Sequence, residues 1–153
     1  MAGNAKAERR RIQAVGAVIY RLVPEGLPEI LLIRKRGGYW TLPKGRLLPD
    51  ESPVTGLLRE VAEETGLNGE VEQLVKIVRY VTPQRRPQRR KVVSYYLFAA
   101  IDAELRLSQS EHIEEARWMT FTTAVHRARR RRIRRVIDTA AGLLKAQHAQ
   151  LAV

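Results

Sequence analysis

The sequence predicts a mixed α/β (α+β) domain, and three observations carry that reading. Short β-branched or apolar runs recur along the chain, separated by Gly/Pro breaks. One capped amphipathic helix sits between those runs, and a second long helical pattern closes the sequence. Strand and helix patterns thus alternate instead of forming separate blocks, which is the order of a sheet covered by helices. The length of 153 residues fits one domain with a real core.

Gln13–Leu22 is rich in small and β-branched residues and reads as a strand, followed by a turn at Pro24–Pro28. Glu29–Arg34, with Ile30, Leu31, Leu32 and Ile33, reads as a buried strand. Gly37-Gly38 is a break, and Trp40-Thr41-Leu42 is a short extended piece leading into Pro43-Lys44-Gly45. Ser52 is a good N-cap, Pro53 suits the first helical position, and Gly66 supplies a stop. A helix is therefore expected from Pro53 to Thr65, with its core-facing positions among Val54, Leu57, Leu58, Val61 and Ala62. Val71–Val81 and Val92–Ile101 read as a long hairpin, with Pro83–Arg90 as its loop. Ala116–Phe121 reads as a short strand. Thr122 or Thr123 then caps one last helix running to Ala149, with an apolar stripe of Ile133, Val136, Ile137, Ala140 and Leu144.

Composition narrows the classes. The absence of cysteine excludes a disulfide framework, a zinc–thiolate site and a thiol nucleophile. No apolar run reaches the about 18 residues of a membrane-spanning helix. Residues 1–11 are polar and basic and lack the apolar stretch of a signal peptide. They are expected to form a mobile arm ahead of a single domain over 12–153, in a cytoplasmic protein without membrane attachment.

The net charge is +12, so a tight acidic patch stands out. Glu60, Glu63 and Glu64 occupy i, i+3 and i+4 of the first helix and fall within one arc. Like charges in that arrangement repel by a few tenths of a kcal/mol per pair. A solvated acidic face is the bland reading; a divalent cation held by carboxylates is the sharper one, and it points to phosphate chemistry. Arg59 and Glu51 are spaced to form a supporting ion pair under the loop.

The spacing Gly45-x5-Glu51-x7-Arg59-Glu60-Val61-x-Glu63-Glu64-x-Gly66-Leu67 resembles the complete signature of the Nudix hydrolases. The resemblance extends over residues 13–121. It implies an α/β/α sandwich around a mixed sheet with a loop–helix–loop catalytic motif. It also implies hydrolysis of a nucleoside diphosphate linked to another group, with Mg²⁺ or Mn²⁺ as cofactor. Carried over by position, Glu60, Glu63, Glu64 and the Gly45 carbonyl would hold the metal, and Glu63 or Glu64 would orient or deprotonate water. Glu51 and Arg59 would hold the loop and helix in place. Glu115, ranked with Glu111, is the further acidic ligand or base that such enzymes recruit.

Flanking segments look like the subgroup acting on dinucleoside polyphosphates. These are Trp40-Thr41-Leu42-Pro43-Lys44-Gly45, Arg79-Tyr80-Val81 with Val93-Ser94-Tyr95-Tyr96-Leu97, and Leu107-Ser108 with Glu111-His112 and Arg117-Trp118. On that resemblance Tyr80, then Tyr96, would stack a base; the bland alternative is sheet packing. Lys44 and His112 would contact phosphate, or else be surface groups. Arg85, Arg86, Arg89, Arg90 and Lys91 form one basic run, and Arg127 and Arg129 to Arg135 carry a second. Either the loop run grips a long polyphosphate, or both runs bind nucleic acid, or both are solvated surface. The leading expectation is a pyrophosphohydrolase of diadenosine tetraphosphate and its homologues. The alternatives are an RNA 5′-pyrophosphohydrolase, an inositol pyrophosphate hydrolase and a nucleic-acid-binding module without catalysis.

Overall fold

The structure is a computed structural model, and it describes residues 11–82, 88–102, 104–108 and 112–151. Glu111, Arg85, Arg86 and most of the N-terminal arm lie outside the described residues. Seven strands form one mixed sheet: β1 (Arg11–Arg21), β2 (Glu29–Lys35), β3 (Trp40–Thr41), β4 (Lys44–Arg46), β5 (Gly69–Val81), β6 (Arg90–Ala100) and β7 (Ile113–Met119). The order is β3-β2-β1-β6-β5, with β4 added to β1 and β7 to β2. The β1–β6 pair is parallel and the others are antiparallel. β1 opens at Arg11, placed in the arm by sequence, because its parallel pairing with β6 starts at Arg90.

Three helices cover the sheet among the described residues: α1 (Pro53–Thr65), α2 (Phe121–Arg127) and α3 (Arg131–Leu151). Alternation along β1 feeds both faces. Val15, Ala17 and Ile19 pack with Leu57 and Val61 of α1, while Ala14, Val18 and Tyr20 pack with Ile133, Val136 and Ile137 of α3. The result is the expected α/β/α layering. The stripe predicted for the last helix, Ile133 to Leu144, is buried throughout.

α1 has the predicted bounds. Ser52 accepts the Thr55 N–H at 3.2 Å, and Gly66 takes the left-handed conformation (φ 75°) that ends the helix. Its rotation differs from the expectation. Leu57 and Val61 are buried, but Val54, Leu58 and Ala62 are exposed. The helix turns Glu60 and Glu64 inward instead, at 8% and 0% exposure.

The C-terminal region also differs. The expected single helix is two, because the backbone at Ala128 is extended (φ −65°, ψ 120°). No Gly or Pro marks this break in the sequence. It is stabilised by burial of Ala128 and by the Arg134 guanidinium, which donates to the Ala128 and Arg129 carbonyls at 2.9 and 2.8 Å. The N-cap is Thr120, which accepts the Thr123 N–H, so the preceding strand ends at Met119 and Phe121 belongs to α2. β4 had no sequence signal of its own; it exists through its pairing with Ala14, Val15 and Gly16.

Candidate active site

The site begins where α1 meets β4. Gly45 faces the Glu60 carboxyl so closely that a Cβ there would lie 1.9 Å from the carboxyl carbon. Only glycine permits that approach. The loop between β4 and α1 is held by Glu51, whose Oε1 accepts the Leu48 N–H at 3.0 Å. Arg59 grips Glu51 through two bonds of 2.8 Å, one from Nε and one from Nη2. The same guanidinium donates to the Arg46 carbonyl at 3.1 Å, to Glu60 at 2.8 Å and to Glu63 at 3.2 Å. A planar five-donor group suits this work, because a fork can satisfy a carboxylate in bidentate fashion while its other edge reaches further acceptors. The Arg59 bond, helped by the Leu48 N–H, holds the Glu51 carboxyl well down, at about 2.

Glu60, Glu63 and Glu64 are therefore near one another but differ in setting. Glu64 is fully buried, Glu60 nearly so, and the Glu63 side chain is half-exposed. Among the described residues, no three acidic or histidine side chains converge on one metal position. Arg59 draws Glu60 and Glu63 to itself in this arrangement. The donor set still fits a hard cation, since carboxylate oxygens and a close backbone carbonyl are what a magnesium-type ion prefers. The Gly45 backbone lies directly against the Glu60 carboxyl.

β4 also links this acidic site to a basic one. Successive residues of a strand face opposite sides. Gly45 faces Glu60, while the Lys44 ammonium donates to the Tyr80 hydroxyl at 2.9 Å. Beyond Lys44 lies a cleft of about 290 Å³, lined by Lys35, Tyr39, Thr41, Leu42, Arg130, Arg132 and Ile133. The Arg132 guanidinium carbon lies 3.9 Å from the Tyr80 ring centroid, and that of Arg130 lies 4.9 Å from the Tyr39 ring. The Lys91 ammonium sits 5.9 Å from the Tyr80 ring centroid. The hydrogen bond from Arg130 stabilises the phenolate and brings the Tyr39 phenol below its ordinary value. Burial pushes the Tyr80 phenol up, but the Lys44 hydrogen bond and the surrounding cations outweigh it and bring it down. Burial and the charge of Lys44 lower Lys91.

The remaining sequence candidates are dispersed. Tyr96 packs in the α1 layer, on the face of the sheet opposite Tyr80. Arg90 lies at the tip end of the β5–β6 hairpin, in a second groove with Arg11, Arg79 and Lys91. His112 is exposed, in a left-handed conformation (φ 57°), and its carbonyl accepts the Arg36 N–H. Glu115 faces Arg34 across β2–β7 and is bonded to Arg34 and Arg117, not to the α1 glutamates. Tyr39 carries no sequence signal of its own, and in the sequence Arg130 and Arg132 stand out only as members of the second basic run. Tyr39 follows the Gly37-Gly38 break beside Trp40, and the two arginines are hidden in a run whose members look alike.

The NUDIX domain family matches residues 10–139. The chain belongs to the Nudix family. This chain is a hydrolase acting on pyrophosphate bonds, and Nudix hydrolases generally use divalent metal ions. It is 34% identical over 117 residues to the asymmetrical bis(5'-nucleosyl)-tetraphosphatase of Mus musculus, covering 71% of this chain and 78% of that one. The corresponding Rattus norvegicus protein is 36% identical at the same coverage. Among solved structures, an Ap4A hydrolase of C. elegans in a binary complex superposes with a TM-score of 0.75 at 22% identity, over 88% of this chain and 98% of that one. The NUDIX domain of NrtR from Shewanella oneidensis, complexed with ADP ribose, gives 0.71 at 19% identity, covering 88% of each chain. Those two likenesses show the fold alone. No helix among the described residues is long and apolar enough to cross a membrane.

Proposed function

We propose that this Nudix hydrolase cuts dinucleoside polyphosphates, with diadenosine tetraphosphate as the leading substrate and Mg²⁺ (or Mn²⁺) as the ion. One observation carries the reading beyond family membership. Adjacent residues of β4, about 3.8 Å apart along the chain, serve the acidic site and the basic cleft: Gly45 against Glu60, and Lys44 against Tyr80. The names of the mouse and rat relatives support the same substrate class.

The Gly45 carbonyl, Glu60, Glu63 and Glu64 would hold the metal. When bound, it supplies charge screening at the diphosphate and acidifies water. Glu51 and Arg59 position the loop against α1. Glu63 has the most exposed carboxylate of the three, and on leaving Arg59 it can take the proton of the attacking water. Lys44 holds a phosphate distal from the cut. Glu115 is left out of this set, since Arg34 and Arg117 occupy it. Tyr80 is assigned to ordering cations on one ring face, which Arg132 covers.

A second reading is removal of a 5′-terminal pyrophosphate from RNA in the cytoplasm. It is favoured by the groove of Arg11, Arg79, Arg90 and Lys91, which continues the basic surface past Tyr80. A substrate panel decides, run with Mg²⁺ and with EDTA. It contains diadenosine tetra- and hexaphosphate, 8-oxo-dGTP, ADP-ribose, an inositol pyrophosphate and a 5′-triphosphorylated RNA. Metal-dependent release of ATP and AMP from the tetraphosphate is expected. Preference for RNA would favour the second reading, and no metal-dependent turnover on any member would overturn both.

A further inference from the structure

The far end of the β5–β6 hairpin leaves one side of the sheet open. Phe98 and Tyr96 of β6 pack in the α1 layer, and counting on in steps of two places Ser94, Val92 and Arg90 on that same side. Residues paired across neighbouring strands share a side. Arg11 is in register with Arg90, Arg79 with Val92, Val81 with Arg90 and Ile77 with Ser94. Three arginines from three adjacent strands therefore stand together, with Ile77 and Val81 beside them. All five are exposed. The arginines line a groove of about 250 Å³ with Tyr80, Val81, Lys91 and Val92, and it shares no lining residue with the cleft beside Lys44.

Like charges directly opposite one another on neighbouring strands repel, and Arg11 and Arg90 are so placed. Among the described residues none of the three arginines forms an ion pair. The acids of β5, Glu70 and Glu72, lie at its opposite end. Such a row is relieved by an anionic chain laid across it, and a guanidinium fork matches two phosphate oxygens. Ile77 and Val81 add apolar surface that a bare phosphate chain leaves uncovered and an unpaired base can cover. A duplex turns its bases inward, and a flat lipid surface meets only the rim of a groove. A second copy of this chain would set the same arginines against one another, each copy carrying +12.

We infer that the groove at Arg11, Arg79 and Arg90 binds single-stranded nucleic acid, with phosphates on the arginines and bases against Ile77 and Val81. The binding depends neither on the metal nor on which bond the Nudix site cuts. It holds the enzyme on a strand whether or not that strand is a substrate. Sequence preference is weak, because backbone charge and apolar contact are common to every base.

The test is fluorescence anisotropy of the full chain in EDTA with a labelled oligouridylate of about twelve nucleotides that carries no 5′ phosphate. It should bind, with affinity falling steeply as salt rises. Arg11→Gln/Arg79→Gln should weaken it by about tenfold or more and reduce the salt slope by about 1.4, the loss of two single-strand phosphate contacts. Arg131→Gln/Arg135→Gln removes the same formal charge from exposed positions on α3. It should change affinity by less than about threefold at moderate salt. The same strand annealed to its complement should bind more weakly. No binding at about 0.1 M salt, equal loss in the two double variants, or tighter binding of the duplex would overturn the site. Phosphatidylserine vesicles are titrated alongside. If they bind through Arg11 and Arg79 and the oligonucleotide does not, the surface is a membrane contact and the assignment fails. The probe offers no pyrophosphate bond, so its failure to bind leaves the proposed hydrolysis standing, and absent turnover in the substrate panel leaves this groove standing.

Discussion

Arg59 ties together more of the acidic site than any other side chain described, since it meets Glu51, Glu60, Glu63 and the Arg46 carbonyl. Its partner Glu51 makes a pH prediction with a definite sign. The folded Glu51 ionises at about 2 against an ordinary 4.5, so its stabilising contribution is complete above about pH 4.5 and lost as pH falls through about 2. Urea unfolding of wild type and Glu51→Gln should show a stability gap that is constant near neutrality and narrows below pH 4.5. A gap that widens on acidification would refute this. Gly45→Ala puts a methyl group into the Glu60 carboxyl, so that buried carboxyl must shift from its place. Both the melting temperature and metal-dependent turnover should drop, and wild-type values for both would show that the approach is dispensable. Glu63→Gln and Glu64→Gln keep shape and remove charge. Each should lower kcat by about 10²-fold or more, the scale of lost acid–base or metal assistance, with the circular dichroism spectrum retained.

At the scale of elements, the split between α2 and α3 is what delivers Arg130 and Arg132 to the cleft. A continuous helix through Ala128 would send those side chains elsewhere around its axis, at about 100° per residue. Thr120 starts α2, and Thr120→Ala should cost about 1 kcal/mol, the usual loss of an N-cap. Ile137 is fully buried on α3, and Ile137→Ala should cost about 2–5 kcal/mol through the cavity it leaves. Denaturant unfolding of both variants checks the ranking. An Ile137→Ala change milder than Thr120→Ala would mean that α3 contributes little to the core.

Across the whole molecule, a net charge of +12 coexists with a cleft whose cations have no protein counterions among the described residues. Anionic substrates should be steered into such a field. Raising ionic strength from about 0.01 to about 0.1 M shortens the screening length from about 30 to about 10 Å. kcat/KM for a dinucleoside polyphosphate should then fall several-fold while kcat stays nearly constant. A flat kcat/KM would place substrate capture elsewhere.

The bounds of α1 were legible in the sequence because Ser52, Pro53 and Gly66 act locally, each on its own backbone. The spacing of Glu60, Glu63 and Glu64 was equally legible, since helical periodicity alone puts them on one arc. The inward rotation of that arc was not: it depends on β4, which exists only through pairing with β1. Nor does any local rule mark the break at Ala128, where burial and the Arg134 side chain overcome a helix-favouring run. The basic cleft is the clearest case. Tyr39 precedes β3, Lys44 lies on β4, Arg130 just precedes α3 and Arg132 lies in its first turn, while Tyr80 of β5, beside Lys44 and Arg132, lines the neighbouring groove with Lys91 of β6. The sequence by itself determined the helix that carries the acids and the kind of ion they suit, because caps and periods act within a few residues. Only the tertiary structure decided which of many arginines meet which tyrosines, because sheet order and a helix break bring together segments that are remote in the chain.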